Sequence, residues 1–430
     1  MEKDIIRLIT NEPGCLCGEH RIAGNKAFLS TVTENTTRVK GFTFDYNLHF
    51  CIGVKNTTSA SQDIILYVNC TPADVLPEHK PLLFSSSSLN NQELKPFDCN
   101  ARTDGLRKYS IHLTLNSQQC IYISNTCCRN YQRIKDRIQV AAEESNARVE
   151  TIGKTIENEP LTAYCYEKEN IAQNKMNILV SSGFHPSEPD SMASIGIMEA
   201  MRDISLRKKI LEHFNLYIIP VVNPDGFTKG LQGANSMQIN FHWKFLGNTA
   251  TECPEAKALM VFCKKTQPSI YIDFHAYTFQ AEKKASPYIK PSCFYCGRQV
   301  RELVKKLDNA LTQLMDGQSY STALAYLPTT LPYWLTRQFN TITYAKFHLH
   351  LKDGVDTFPS TGWNILKTVI NTLKNHKVIS SRQILKTPHG NVSRWDPLLL
   401  KARILTILQW HLPLHPVVGF IKKLYRNISL

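Results

Sequence analysis

Alternating hydrophobic and polar residues dominate the first 130 positions of the chain. The segments FTFDYNLHFCIGV, DIILYVNC, YSIHLTL and QCIYIS show this alternation, and turn-rich stretches such as NTTSASQD separate them. A period of two is typical of strands with one buried face. Because long helical patterns are missing from this region, the pattern predicts an all-β sandwich.

The pattern changes near residue 130. The segment 130–148 has the spacing of a helix, which we expect to connect two domains. Beyond it, the apolar runs MNILVSSG, FNLYIIPVVN and PSIYIDFHA alternate with segments of helical periodicity. Continuous apolar runs are typical of strands that are covered on both faces. The sequence therefore predicts an α/β domain, with flanking helices on a mostly parallel or mixed sheet.

These changes divide the chain into three predicted parts. They are a β-sandwich domain over 1–135, an α/β domain over 136–380 and a basic amphipathic extension over 381–430. Within the extension, 397–425 contains a helical pattern that two prolines end. This helix could pack on the α/β domain, or it could lie on an anionic membrane surface.

Charge is distributed unevenly along the 430 residues. The formal net charge is +14, yet residues 1–280 hold 29 acidic and 29 basic residues. Residues 281–430 hold 7 acidic and 21 basic ones, and Glu302 is the last glutamate. A basic surface can bind an acidic protein tail, nucleic acid or an anionic membrane, or it can simply favour solubility. No clear nucleic-acid motif or phosphate-binding loop accompanies it.

Composition excludes several classes of protein. A hydrophobic fraction of 43% with 20% charged residues excludes a disordered chain. No uncharged apolar run is long enough to predict a transmembrane helix, and the first residues lack the apolar core of a signal peptide. The 13 cysteines are therefore predicted to be reduced thiols of a cytoplasmic protein. Cys293 and Cys296 lack a second pair at zinc-finger spacing.

Polar motifs follow three of the predicted buried strands. They are His185-Pro-Ser-Glu188, Asn-Pro-Asp-Gly at 223–226 and Asp-Phe-His275. Ligands of such sheets bind beyond the carboxyl ends of the strands. Two histidines and one glutamate, with a fourth position for water, form a donor set of catalytic zinc. The spacing equally fits a His185–Glu188 pair in a polar loop with His275 as a core histidine.

The order of the motifs resembles the zinc metallocarboxypeptidases, and in particular the cytosolic carboxypeptidase branch, in which a β-sandwich precedes the catalytic domain. The resemblance covers about residues 40–375. It rests on His-Pro-x-Glu at 185–188, Asn-Pro-Asp-Gly at 223–226, QINFHW at 238–243 and Asp-x-His at 273–275. It implies hydrolysis of C-terminal residues of peptides or proteins, including acidic C-termini.

The resemblance also implies roles for particular residues. His185, Glu188 and His275 would hold one zinc ion, which would polarise the scissile carbonyl and lower the pKa of its bound water. Asn240 matches the asparagine that helps to hold the substrate's terminal carboxylate. The motif at 223–226 is expected to shape a turn.

Several positions depart from the family pattern. The arginine that binds the terminal carboxylate is replaced by Phe241, and a second arginine has no match in GLQGANSMQ. The aspartate that orients the first zinc histidine is replaced by Gln238. No glutamate general base occurs in TITYAKFHLHLKDG, where alternative alignments place Ala345 or His348 at its position. His348 could act as a base near neutral pH, or it could be an outward strand residue like His350.

These observations predict a zinc-binding metallocarboxypeptidase-like protein with little hydrolytic activity, because a positioned base contributes roughly 10²–10⁴ in rate. One alternative is a non-catalytic pseudopeptidase that binds an acidic partner. A second alternative is a zinc hydrolase of altered substrate, in which Phe241 favours a group without a free carboxylate.

Overall fold

The computed structural model describes most of the chain up to residue 375. The described ranges are 4–12, 14–32, 34–35, 37–39, 42–44, 49–69, 79–81, 83–88, 95–96, 102–103, 108–125, 131–167, 175–245, 252–277, 279–281, 288–289, 298–315 and 329–375. The predicted extension over 381–430, its amphipathic segment 397–425, and Cys293 and Cys296 lie outside the described residues.

The strands are numbered in chain order. They are β1 (Ile6–Ile9), β2 (His20–Ala23), β3 (Lys26–Ser30), β4 (Thr37–Val39), β5 (Phe42–Phe44), β6 (Cys51–Asn56), β7 (Gln62–Asn69), β8 (His79–Pro81), β9 (Phe84–Ser86), β10 (Lys95–Pro96), β11 (Arg102–Thr103), β12 (Lys108–Leu115), β13 (Cys120–Ser124), β14 (Arg148–Lys154), β15 (Pro160–Tyr166), β16 (Met176–Ser181), β17 (Phe214–Ile219), β18 (Ile270–Tyr277), β19 (Phe279–Ala281), β20 (Tyr288–Ile289) and β21 (Ile342–His350).

The helices follow the same order. They are α1 (Tyr131–Glu144), α2 (Ser191–Ala200), α3 (Ile204–Leu211), α4 (Pro224–Lys229), α5 (Pro254–Thr266), α6 (Arg298–Met315), α7 (Leu331–Phe339) and α8 (Phe358–Asn375). Short 3-10 helices span Phe241–Trp243, Leu351–Asp353 and Val355–Thr357. No helix among these described elements is long and apolar enough to cross a bilayer.

Two five-stranded sheets form the first part of the structure. Their strand orders are β1-β6-β13-β9-β10 and β11-β12-β7-β3-β2. The two sheets share one hydrophobic core, to which Val54 and Ile123 contribute from the first sheet and Leu66 and Ile111 from the second. Burial alternates along β7, with Ile64, Leu66 and Val68 inside, as the period of two predicts.

A seven-stranded mixed sheet forms the second part, in the order β14-β15-β17-β16-β18-β21-β20. The strands β17, β16, β18 and β21 run parallel, and the pairs at both edges are antiparallel. This arrangement confirms the prediction of an α/β fold with a mixed sheet and flanking helices. Because β16 and β18 are direct parallel neighbours, the residues that follow them meet at one edge of the sheet.

The predicted helix over 130–148 forms as the shorter α1. It buries Ile134, Ile138 and Ala142 in the same core as the inner strands of the seven-stranded sheet. The spacing of these residues by four positions places them on one helix face. The helix therefore covers the sheet of the second part.

The helices α2 and α8 cross at two glycines. A Cβ atom added to Gly196 would lie 2.2 Å from the carbonyl oxygen of Pro359, and one added to Gly362 would lie 2.4 Å from the carbonyl oxygen of Ala193. Neither distance leaves room for a side chain. The two helices thus pack backbone against backbone at this crossing.

The pairing of β18 with β21 contains one irregularity. Ile272 pairs with Tyr344, and the next regular pair on each strand is Phe274 with Phe347. Two residues of β21, Ala345 and Lys346, therefore lie opposite the single residue Asp273, as in a β-bulge. The bulge shifts the side-chain alternation of β21 opposite Asp273, at the carboxyl edge of the parallel strands.

Candidate metal centre

His185, Glu188 and His275 converge at the carboxyl edge of β16 and β18. Nδ1 of His185 lies 2.8 Å from Oε1 of Glu188, and Nδ1 of His275 lies 2.9 Å from Oε2 of the same carboxylate. One donor atom from each residue lies within 4.8 Å of the other two. Both histidines are buried, with only 1% of each exposed. The structure thus brings together the three residues of the predicted zinc site.

A tight loop carries His185 away from β16. Gly183 has a φ of +71°, a conformation that glycine adopts without strain. The backbone N–H of Gly183 points to both carboxylate oxygens of Asp190, at 3.1 and 3.2 Å. Asp190 is fully buried, and burial together with the nearby Glu188 raises its pKa well above the usual value. Asp190 therefore acts as a buried anchor for this loop.

Asn223 fixes the same loop from the neighbouring strand. Its side chain accepts a hydrogen bond from the N–H of Gly226 and caps α4. Its amide nitrogen donates to the carbonyl oxygens of Phe184, at 3.2 Å, and of Ala234, at 3.0 Å. The motif at 223–226, predicted as a turn, is therefore the start of a short helix.

Asp225 ties this helix to the turn that follows β14 and to the loop that follows α4. Its carboxylate accepts hydrogen bonds from Thr155 Oγ1 at 2.6 Å, Glu157 N at 3.1 Å and Ser236 Oγ at 3.0 Å. Asp225 is 1% exposed, so these bonds replace the hydration that burial removes. Its role in the structure is to join segments that are distant in sequence.

Glu34, from the first part of the chain, binds the loop that precedes Asn240. Its carboxylate accepts hydrogen bonds from the backbone N–H groups of Gln232, Gly233 and Ala234, the last two at 2.9 and 2.8 Å. Glu34 is buried, with 4% exposed. The amide oxygen of Gln232 in turn accepts from the N–H of His49 at 3.1 Å. The loop is thus held by residues outside the α/β part.

Asp273 supports His275 from the other side of the imidazole ring. Its Oδ2 lies 3.2 Å from Nε2 of His275, and its Oδ1 accepts a hydrogen bond from Ser181 at 2.8 Å. A carboxylate on the outer nitrogen of a ligating histidine orients the ring and makes it a stronger ligand. His242 lies on the same side, and its ring centroid is 5.6 Å from that of His275.

Opposite charges balance each other within the centre. Burial opposes ionisation of Glu188, but His185 and His275 outweigh it and hold the pKa of this carboxyl well below its usual value. Burial and Lys346 oppose protonation of His275, but Glu188 and Asp273 raise its pKa to about 9. Burial lowers the pKa of His185. The attraction between Glu188 and the two histidines therefore holds the three side chains together.

Lys346 is the basic residue of this centre. Burial has the largest effect on the pKa of His242, and the charge of Lys346 has the second largest; both lower it. The same two effects, in the same order, oppose protonation of His275. The carboxylates of Glu188 and Asp273 attract Lys346 in turn. Sequence analysis missed Lys346, because the bulge opposite Asp273 breaks the alternation by which residues of β21 were assigned to faces.

The two positions predicted for the missing general base are both buried. Ala345 is 1% exposed, and it shares the bulge with Lys346. His348 is 7% exposed and pairs with His275 across the two strands. Neither belongs to a group of potential metal ligands among the described residues. The catalytic role predicted for His348 stays a prediction.

Asn240 lies two residues before His242, whose ring centroid is 5.8 Å from that of His185. Asn240 begins the 3-10 helix Phe241–Trp243 and accepts from the N–H of His242, while its buried Nδ2 meets no acceptor in the described part of the chain. Phe241 is 1% exposed and packs on Phe184 with ring centroids 5.5 Å apart. Gln238 accepts from the N–H of Asn35 at 3.3 Å.

One of these positions corrects an expectation. Phe241 packs in the hydrophobic core, and the altered substrate selectivity expected from it stays a prediction. Gln238 faces Asn35, so its amide does not orient His185. The side chain that orients a metal-type histidine here is Asp273, which acts on His275.

The donor set fits zinc. Two imidazole nitrogens and one carboxylate oxygen leave a fourth tetrahedral position open, as in catalytic zinc sites. Glu188 is further held by the backbone N–H of Ala276, which donates to Oε2 at 3.0 Å. The ligands are therefore oriented before any ion binds, which is what a preorganised metal site requires.

Comparisons with known proteins agree with this geometry. A family model described as zinc carboxypeptidase matches residues 134–245, the segment that contains His185 and Glu188. No curated protein shows significant sequence similarity to the chain.

Solved structures with a similar fold include two bacterial metallo-carboxypeptidases. The enzyme from Burkholderia cenocepacia has a TM-score of 0.68 and 14% identity, over 86% of this chain and 100% of the other. The enzyme from Pseudomonas aeruginosa, solved with (2-guanidinoethylmercapto)succinic acid, has a TM-score of 0.64 and 12% identity, over 87% of this chain and 100% of the other. The chain therefore has the metallocarboxypeptidase fold, and its segment 134–245 matches the zinc carboxypeptidase family.

Proposed function

We propose that this protein binds one zinc ion through His185, Glu188 and His275, and that it acts on the C-terminal residue of peptides or proteins. The observation that carries the proposal is the convergence of these three donors at the carboxyl edge of the parallel strands. The metallocarboxypeptidase fold supports it. The order of the motifs further favours the cytosolic carboxypeptidase branch, with the two N-terminal sheets as its β-sandwich domain over about 1–135.

Each residue of the centre has a role in this proposal. Bound zinc would supply a Lewis acid for the scissile carbonyl and would lower the pKa of a bound water. Asp273 would keep the ring of His275 in one orientation, and Asp190 would keep the loop before His185 in place. The unused N–H groups of Asn240 would hold the end of the bound peptide.

A second candidate is a protein that binds a C-terminus without cutting it. Among the described residues around the centre, the carboxylates already have structural roles, since Glu188 joins the two histidines, Asp190 holds Gly183, and Asp273 holds Ser181 and His275. None of them is left to remove a proton from the attacking water. An acidic partner would suit the basic C-terminal third of the sequence.

Metal analysis of the full chain tests the proposal. We expect about one zinc per chain in the wild type, and far less in His185→Ala and Glu188→Ala. The control is His20→Ala, which removes an exposed histidine of β2. A wild-type protein that binds no zinc refutes the proposal.

Mass spectrometry of peptides incubated with the zinc-loaded protein then separates the two candidates. Release of the last residue from peptides with a free C-terminus establishes a carboxypeptidase. Binding of the same peptides without release, by a protein that holds zinc, establishes the binding protein.

A further inference from the structure

The outer face of the second five-stranded sheet, β11-β12-β7-β3-β2, carries a row of paired side chains. Arg21 of β2 pairs with Phe28 of β3, Phe28 pairs with Tyr67 of β7, and Tyr67 pairs with Ser110 of β12. Residues that lie directly opposite on neighbouring strands point to the same face of a sheet. The residues on both sides of Tyr67 along β7 are buried in the core, so the row lies on the outer side.

Three side chains of this row form a stack. The rings of Phe28 and Tyr67 lie face to face, with centroids 4.9 Å apart and an angle of 10° between their planes. The guanidinium carbon of Arg21 lies 4.5 Å from the centroid of the Phe28 ring. Because β3 lies between β2 and β7, Phe28 is held between Arg21 and Tyr67. The Phe28 ring therefore already has a partner on each side.

Tyr67 ends the stack. Its side is open toward β12, where its paired residue is the small Ser110, and 37% of Tyr67 is exposed. Its ring contacts no aromatic ring other than Phe28 in the part of the chain that the structure describes. A flat group from a ligand would extend the stack at this position, since aromatic rings attract each other in offset stacks.

Cations surround the aromatic pair. Lys26 lies two residues before Phe28 on β3, and Lys108 lies two residues before Ser110 on β12. Because β12 runs antiparallel to β7 whereas β3 runs parallel to it, the two lysines lie on opposite sides of the row. Both lysines and Arg21 are exposed, and none of them forms an ion pair with an acidic side chain among the described residues.

The balance of charge on this face is positive. Asp63 is the one acidic residue in the strands β2, β3, β7 and β12, and its Oδ1 accepts a hydrogen bond from Thr114 Oγ1 at 2.7 Å. The face therefore combines an exposed ring with cations that have no described counter-ion. A complementary ligand carries flat rings and negative charges together.

Single-stranded nucleic acid has this combination. Its unpaired bases stack on aromatic side chains, and its phosphates bind basic ones. A duplex keeps its bases stacked inside, and an acidic protein tail offers carboxylates without rings. The exposed ring of Tyr67 therefore favours a single strand over the other two anionic partners.

We propose that this outer face binds single-stranded nucleic acid, with a base stacked on the exposed side of Tyr67 and phosphates held by Arg21, Lys26 and Lys108. The site is separate from the zinc centre, because all its residues belong to the first part of the structure. No local motif marks it in the sequence, since four different strands contribute the side chains.

Fluorescence anisotropy of a labelled oligouridylate of about ten nucleotides, titrated with the full-length protein, tests the proposal. Tyr67→Leu should weaken binding about fivefold or more, as expected for the loss of one stacked base, whereas Tyr67→Phe should stay within about twofold of the wild type. Lys26→Gln and Lys108→Gln should each lower the slope of log affinity against log salt concentration by about 0.7, the value for one phosphate contact.

Lys367→Gln is the matched control, because it removes an exposed lysine of α8 in the basic third of the chain. It should leave both the affinity and the salt slope unchanged. An oligothymidylate measured in parallel tells DNA from RNA, and binding of either strand that depends on Tyr67 supports the proposal.

Several results would overturn the proposal. They are a wild-type protein that binds neither strand, full affinity in Tyr67→Leu, and a loss in Lys367→Gln as large as that in Lys26→Gln. Binding of a duplex or of an oligoglutamate peptide as tight as that of the single strand would also overturn it, because such binding requires no stacked base.

Discussion

Asp273 Oδ2 lies 3.2 Å from Nε2 of His275, on the opposite side of the ring from the nitrogen that faces Glu188. The two carboxylates therefore hold one imidazole at both of its ring nitrogens. Asp273 is itself held by Ser181, whose hydroxyl is 2.7 Å from that of Tyr271. The orientation of His275 thus depends on a buried chain of hydrogen bonds that crosses β16 and β18.

Asp273→Asn should weaken zinc binding by about 10–100-fold, because a neutral amide leaves His275 a poorer ligand. A competition titration against a chromophoric chelator measures this change. Asp356→Asn, at an exposed position before α8, should leave the zinc affinity within about twofold of the wild type. Equal affinities in the two variants would show that Asp273 does not support a metal ligand.

Asp225→Ala should lower the free energy of unfolding by roughly 3 kcal/mol, because it leaves buried hydrogen-bond donors unsatisfied. These donors belong to Thr155 and Glu157, at the start of the α/β part, and to Ser236. Asp225→Asn should cost less, since its carbonyl oxygen can still accept one bond. Urea unfolding of both variants measures the difference, and equal losses would show that the oxygen kept by asparagine accepts no stabilising hydrogen bond.

Gly196→Ala should destabilise the protein by about 1–3 kcal/mol or more, as expected when a methyl group is forced into a closed contact. The added Cβ would meet the backbone of Pro359, which cannot move without shifting α8. Thermal unfolding measures the loss. Ser360→Ala, on the exposed side of α8, should change little. An unchanged melting temperature in Gly196→Ala would mean that the helices can separate freely.

Acid should weaken the edge of the seven-stranded sheet through Glu150. Burial opposes ionisation of its carboxylate, but Lys265 and Arg148, at 2.5 and 2.8 Å, outweigh burial and lower its pKa from 4.5. A lowered carboxyl pKa stabilises the fold fully above about pH 4.5. The contribution is lost as the pH falls through the folded value.

Glu150→Gln should therefore reduce stability by up to about 1 kcal/mol at pH 7, since Arg148 and Lys265 are largely exposed, and by less at pH 3. Unfolding curves at both pH values give the comparison. Glu143→Gln, at an exposed position of α1, serves as the control. A loss that is the same at pH 7 and pH 3 would show that the ion pairs do not contribute.

The local hydrophobic pattern of the sequence was sufficient to predict where two of the proposed zinc ligands lie. His185 and His275 were placed at one edge because continuous apolar runs mark buried parallel strands, and β16 and β18 are such strands. Motif alignment places Phe241 where the family has an arginine. The structure shows in addition that its ring packs in the core against Phe184, which the alignment could not reveal.

Two residues at or near the centre were not predicted, because their positions depend on tertiary structure. Lys346 reaches the centre because a bulge inserts one residue into β21, and alternation along the sequence cannot reveal such an insertion. Glu34 binds backbone groups about 200 positions away, at Gln232, Gly233 and Ala234. No local pattern marks an acidic residue whose partners are main-chain N–H groups so distant in sequence.

The contact of Glu34 with the loop at 232–234 means that the chain is not modular. A fragment that begins at α1 would contain every proposed zinc ligand, yet it would leave three buried backbone N–H groups without their acceptor. The carbonyl oxygen of Gln232 in this loop accepts hydrogen bonds from N and Oγ of Ser187, which lies between His185 and Glu188. Shortening the chain to its α/β half would therefore disturb the proposed zinc ligands together with the loop that leads to Asn240.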